Sequence, residues 1–174
     1  TGPRRTASSV IPLGSSAWPP RPAWRMAEDA VKALEEKGLL TCTDVAGYGE
    51  AFAKAPAQKR LVVFTANTSG SPATSWCPDC RRSVPTVVDS ALSGGLPLTV
   101  VGVGERDDWK LDARGEDHPF RAKDGLALTG VPTLLVIGKD GKEAARLGPE
   151  LEDEEKDAED VRQLIAEAVD KVLA

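Results

Sequence analysis

The chain has 174 residues, 41% of them hydrophobic, which suits one buried core with tails rather than several domains. No apolar run approaches the roughly 20 residues of a membrane-spanning helix, so no membrane association is expected. The net charge of −5 comes without a basic stripe, which argues against a nucleic-acid partner.

The charge is unevenly placed. Residues 1–27 carry four arginines (Arg4, Arg5, Arg21, Arg25) and no acid, whereas residues 150–160 carry eight acids and one lysine. The three cysteines, Cys42, Cys77 and Cys80, do not make the even-numbered framework of a disulfide-stapled secreted domain. They fit a reducing compartment and one working pair. No apolar signal segment is visible near the start, so a cytoplasmic location is expected. Residues 1–25 hold five prolines, four serines and four arginines without periodicity, the composition of a disordered leader. A transit peptide has a similar composition and would direct the chain to a plastid or mitochondrion instead. The expected organisation is an extension over residues 1–26, then one domain over residues 27–174.

The elements follow in order. Ala27, Ala30, Val31 and Leu34 share one helical face, and Gly38 stops that helix. Leu39 to Thr43 reads as a strand. Asp44 is a candidate N-cap for a helix carrying Val45, Tyr48, Ala51 and Phe52. Leu61 to Ala66 is a continuous apolar run, as in a strand covered on both faces. Small residues and turn formers from Asn67 to Ser75 form a loop. A helix opens near Cys77 and runs to about Ser93, kinked at Pro85. Leu96 to Gly104 is the next strand, followed by a charged surface loop from Glu105 to Asp117 and a short helix around Pro119 to Asp124. Thr133 to Ile137 and Glu143 to Leu147 flank Lys139-Asp140-Gly141-Lys142, a hairpin signal. The last helix buries Val161, Leu164, Ile165, Val169, Val172 and Leu173. The acids before it lie where a helix dipole favours negative charge.

The chemistry concentrates at Trp76-Cys77-Pro78-Asp79-Cys80. A C-x-x-C that opens a helix is a dithiol switch, because orphan N–H groups and the helix dipole stabilise the thiolate of the first cysteine. Pro78 suits the first turn, where its missing N–H costs no intrahelical bond. Asp79 opposes a thiolate by its charge but favours the helix start. A zinc site is the competing reading of a C-x-x-C. It would need Cys42 and His118 as further ligands, and the strand–loop–helix setting favours redox chemistry. Cys42 reads as a small buried apolar residue of its strand, and His118 as a solvated loop residue.

Taken together, the sequence resembles the thioredoxin domain-containing protein 17 family, the small W-C-P-D-C proteins known in plants as Clot. The resemblance rests on W-C-P-D-C, on Phe64-Thr65 before the loop, and on Val103-Gly104-Glu105-Arg106 with Trp109-Lys110. Phe120-Arg121 and Thr129-Gly130-Val131-Pro132-Thr133-Leu134-Leu135 complete it. It covers roughly residues 41–174, with its motifs in order. It implies a thioredoxin fold: an α/β domain with a central mixed sheet flanked by helices.

The resemblance further implies Cys77 as the attacking thiolate, expected to be exposed, and Cys80 as the resolving thiol, expected to be less so. Trp76, Pro78, Asp79, Val131 and Pro132 would form the surface around them, with Val131–Pro132 cis. Trp109 would face substrate, or else anchor its loop on the core. The implied activity is reduction of small disulfides such as cystine, and of some protein disulfides, by a monomer that binds no cofactor. Electrons would come from NADPH through thioredoxin reductase. The alternative is a thioredoxin-fold binding module whose dithiol gates a protein partner. Val63 stands where ordinary thioredoxins carry a buried aspartate, which favours the W-C-P-D-C family over thioredoxin proper.

Overall fold

The structure, a computed structural model, describes residues 23–66, 75–110, 118–123 and 125–172, with side chains from residue 27 onward. Five strands form one mixed sheet: β1 (Leu40–Asp44), β2 (Arg60–Thr65), β3 (Leu98–Gly102), β4 (Thr133–Ile137) and β5 (Glu143–Leu147). Their spatial order is β1-β3-β2-β4-β5, with β1, β3 and β2 parallel and β4 and β5 antiparallel. β2 is thus the middle of the order between β3 and β4. All six of its residues are buried, as an apolar run in a doubly covered strand requires.

Among the described residues, six helices accompany the sheet: α1 (Ala23–Glu36), α2 (Tyr48–Lys54), α3 (Pro78–Gly94), α4 (Arg106–Trp109), α5 (Pro149–Glu152) and α6 (Ala158–Lys171). α3 packs against both α1 and α6. Val84, Val87, Val88 and Ala91, spaced i, i+3, i+4, i+7, form its buried stripe. Gly95, at φ +60°, ends it. Its left-handed backbone lets the Leu96 N–H reach the Ala91 carbonyl, an ending that a side chain would strain. The other sheet face meets α2, where Tyr48 packs on Phe52, Phe64 and Phe120 at 5.3–5.6 Å between ring centres. Side chains alternate along a strand, so Val63, fully buried, faces away from Phe64 and its aromatic cluster.

The thioredoxin fold, the strand–helix order and the hairpin hold as expected, and several local expectations change. α1 starts at Ala23, upstream of the expected Ala27, while residues 1–22 lie outside the described residues. Asp44 ends β1, and Gly47 rather than Asp44 is the N-cap of α2; the Asp44 carboxylate instead accepts the Gly47 N–H at 2.9 Å. The charged segment after β3 opens with α4, because Glu105 and Asp108 close a capping box. The region from Pro119 forms turns rather than a helix. Arg121 N–H bonds the His118 carbonyl, and Gly125 N–H bonds the Ala122 carbonyl. α5 is an addition.

At α6, Asp157 is the cap. It accepts from Glu159 and Asp160 N–H, and the Asp160 carboxylate accepts the Asp157 N–H in return. Of its expected core residues, Val161 and Ile165 are buried. Leu164, Val169 and Val172 are partly so, and Leu173 lies outside the described residues.

Candidate active site

β2 ends at Thr65 and α3 begins at Pro78, so the chain delivers Cys77 to the carboxyl end of the parallel strands, the usual place for sites in such sheets. Of the expected loop from Asn67 to Ser75, residues 67–74 lie outside the described residues. Ser75 is buried and ties the two ends together. Its hydroxyl donates to the Ala66 carbonyl (3.1 Å) and accepts the Cys77 N–H (3.3 Å). Arg81 returns from the first turn of α3 to bond the Ser75 carbonyl.

Cys77 is the N-cap of α3, with extended backbone (φ −96°, ψ 111°), and Pro78 occupies the first turn. Cys77 and Cys80 are joined as a disulfide, with Cα atoms 5.2 Å apart. The Cys77 sulfur accepts the Cys80 N–H at 3.1 Å. A helix-start N–H aimed at sulfur is the arrangement that stabilises a thiolate there. The same sulfur lies 3.3 Å from the Val131 carbonyl oxygen, and the Val131–Pro132 peptide is cis. Cys80 and Val131 thus meet the Cys77 sulfur, with Pro132 next to Val131, and Trp76, Pro78 and Asp79 adjoin the dithiol in the chain.

One expectation is corrected. Cys77 is only 4% exposed, hardly more than Cys80 at 1%. The Val131 carbonyl and the partner sulfur lie against it.

The segment after β3 braces the dithiol. The Trp76 indole N–H donates to the Gly104 carbonyl at 3.0 Å. The preceding carbonyl, Val103, is bonded by His118 Nε2 at 2.9 Å, while His118 Nδ1 accepts the Phe120 N–H at 3.2 Å. Both ring nitrogens are thus satisfied by a neutral imidazole that donates from Nε2. His118 is buried, stacked edgewise on Trp109 with ring centres 5.0 Å apart. This corrects the expectation of a solvated residue. Burial holds its pKa below the ordinary imidazole range. Trp109 is also buried and anchors the segment, with the Arg121 guanidinium 5.3 Å over its ring. The rest of the expected loop, residues 111–117, lies outside the described residues.

On the other side of β2, before β4, the arrangement is charged. Asp79 pairs with Arg82 at 3.1 Å. Arg82 and the buried Ser83 hydroxyl both donate to the Leu151 carbonyl, at 3.2 and 2.6 Å. Glu152 lies against Gly130, where a Cβ would overlap its Oε1. Its carboxyl is raised above the ordinary range by burial first and by the Asp79 charge second. Sequence reasoning missed Ser75, Arg82, His118 and Glu152 as parts of the site. Ser75, adjacent to the motif, was the one with a local signal. Glu152 had none, being 72 residues from Cys80 in the chain.

Cys42 is also corrected: it is free and exposed on β1, the edge strand. Among the described residues, no group of three His, Cys, Asp or Glu side chains is placed to hold a metal ion.

Comparison with known proteins agrees with this geometry. The family model "Thioredoxin domain-containing protein 17-like, thioredoxin domain" matches residues 43–165. A thioredoxin-like protein Clot from Oryza sativa subsp. japonica is 38% identical over 95 residues, spanning 51% of this chain and 65% of that protein. Its namesake from Arabidopsis thaliana is 33% identical over 77 residues, spanning 43% and 54%. The matched part is therefore less than two thirds of either relative's length. Among solved structures, Fasciola hepatica thioredoxin aligns at 21% identity and a TM-score of 0.44, over 76% of this chain and 96% of that one. Fold and paired cysteines together define a thioredoxin-fold thiol redox site.

Proposed function

This chain belongs to the thioredoxin domain-containing protein 17-like family, and from that membership we propose that it reduces small disulfides such as cystine, and some protein disulfides. The Cys77 thiolate attacks one substrate sulfur, and the other leaves as a thiolate that takes up a proton. Cys80, deprotonated, then attacks Cys77 in the mixed disulfide. The reduced product departs and the Cys77–Cys80 disulfide remains. Two electrons have passed to substrate. An NADPH-dependent thioredoxin reductase returns them, so the chain needs no bound cofactor.

The observation that carries this reading is the Cys77 sulfur. It accepts the Cys80 N–H at a helix start while touching the carbonyl that precedes the cis proline. An acceptor position at that N–H favours the thiolate, and the Val131 carbonyl marks where an extended substrate backbone would lie.

Coupled NADPH oxidation with thioredoxin reductase and cystine tests the proposal. Wild-type protein is expected to turn over repeatedly. Cys77→Ser should fall to the uncatalysed rate, and Cys80→Ser should accumulate a mixed disulfide on Cys77, read by mass spectrometry. A redox-gated binding module would instead be oxidised once per molecule without turnover. Mixed disulfides on Cys80 would reverse the assigned roles.

A further inference from the structure

The carboxylate of Glu152 stands out because it is positioned beside the site, while the nearby acids that are positioned there have partners. Glu150 accepts the Gly148 N–H, Asp153 holds Lys156, and Asp79 holds Arg82. Among the described residues, no cation or hydrogen-bond donor meets the Glu152 side chain. The backbone beside it is nonetheless fixed, since Arg82 and Ser83 both grip the Leu151 carbonyl. Its Oε1 fills the space that a side chain at position 130 would take. Residue 130 directly precedes Val131, whose carbonyl touches the Cys77 sulfur. A positioned carboxylate with no partner among the described residues therefore adjoins position 130, one residue before the carbonyl that touches the Cys77 sulfur.

We propose that Glu152 is a specificity-determining residue. It selects disulfides that carry a cationic group, such as an ammonium, beside the S–S bond, and disfavours disulfides flanked by carboxylates. Asp79 is held in an ion pair with Arg82, whereas Glu152 has no such partner among the described residues. The proposal rests on the oxidoreductase reading and names the substrate class of that same site. The electron balance is unchanged: the dithiol gives two electrons and the substrate disulfide becomes two thiols. Only the ease of encounter and docking depends on charge, which a half-buried carboxylate can influence and salt can screen.

Pre-reduced full-length protein, mixed in single turnover with three small disulfides, tests this without any reductase. Cystamine is dicationic, hydroxyethyl disulfide neutral and dithiodiglycolate dianionic. Oxidation is read by quenching with an alkylating agent and weighing the protein. Comparing variants cancels the intrinsic reactivity of each disulfide. Glu152→Gln should lower the cystamine-to-dithiodiglycolate rate ratio by about two- to five-fold, the scale of one partly exposed charge interaction. Glu152→Lys should lower it further, and added salt should compress the wild-type ratio toward that of Glu152→Gln. Ratios in both variants equal to wild type would overturn the proposal. Failure of the neutral disulfide to oxidise Cys77 and Cys80 at all would overturn the oxidoreductase reading instead.

Discussion

Two flanks meet at the dithiol, one on each side of β2, and they are built on opposite principles. On the β3 flank, polar groups are closed off against one another. Trp76 bonds Gly104, and His118 bonds both Val103 and Phe120. Trp109 and Phe120 seal the imidazole with their rings. On the β4 flank, charge is left open at Glu152, beside Gly130 and Asp79. The closed flank fixes where the cysteines sit. The open flank has a carboxylate that meets no cation or donor among the described residues. A satisfied buried network is costly to disturb and insensitive to solvent, while an unpaired carboxylate costs little to change and responds to salt.

The comparison can be broken most severely at His118. His118→Ala would leave the Val103 carbonyl and the Phe120 N–H without partners and open a void beside Trp109. A loss of about 3 kcal/mol is expected, measured by urea unfolding. A loss under about 0.5 kcal/mol would show that the closed flank is not a fixed brace.

His118 also sets a pH dependence. Its folded pKa is lowered by burial, so the unfolded chain binds the proton more readily. Its contribution is intact above the unfolded imidazole value of about 6.5 and is lost as pH falls from there toward the folded value. His118→Gln should flatten the stability slope over that interval. An unchanged slope would assign it to other groups.

Trp76→Phe keeps an aromatic side chain, smaller than the indole, and removes one hydrogen bond, to Gly104. About 1 kcal/mol of stability should go, together with a slower reaction on cystine. Stability lost without any change in rate would mean that the tether supports the fold but not the geometry of Cys77.

Cys42 lies on neither flank and provides the smallest expected effect. Cys42→Ser on the exposed edge strand should change stability by less than about 0.5 kcal/mol and leave disulfide reduction intact. Partial desolvation, reinforced by Glu35, raises its thiol pKa. Alkylation at neutral pH should therefore be slower than for a fully solvated cysteine, and should speed up as pH rises.

Much of the site was legible in the sequence because its signals are local. A C-x-x-C with proline in between marks a helix start by itself, and the T-G-V-P-T run marked the second wall of the site. The wrong readings share a cause. The character of their own segments points to a buried Cys42 and a solvated His118, and both are reversed. Cys42 lies on an edge strand, and His118 is folded under Trp109 and Phe120. For Trp109 the sequence left two readings open, substrate-facing or anchored on the core, and burial on α4 settles it as an anchor.

The sequence alone determined the order of the strands and of the helices α1, α2, α3 and α6, the capped start of α3, the sheet hairpin and the position of the C-x-x-C pair. These depend on periodicity, turn chemistry and spacings of a few residues, which adjacent positions encode. Only the tertiary structure decided that Cys77 is nearly as buried as Cys80, that a neutral His118 carries the brace and that Glu152 lies against Gly130. Each of those outcomes follows from which strand lies at the edge and which loops meet above β2. Packing sets both over separations of tens of residues, where no local pattern reaches.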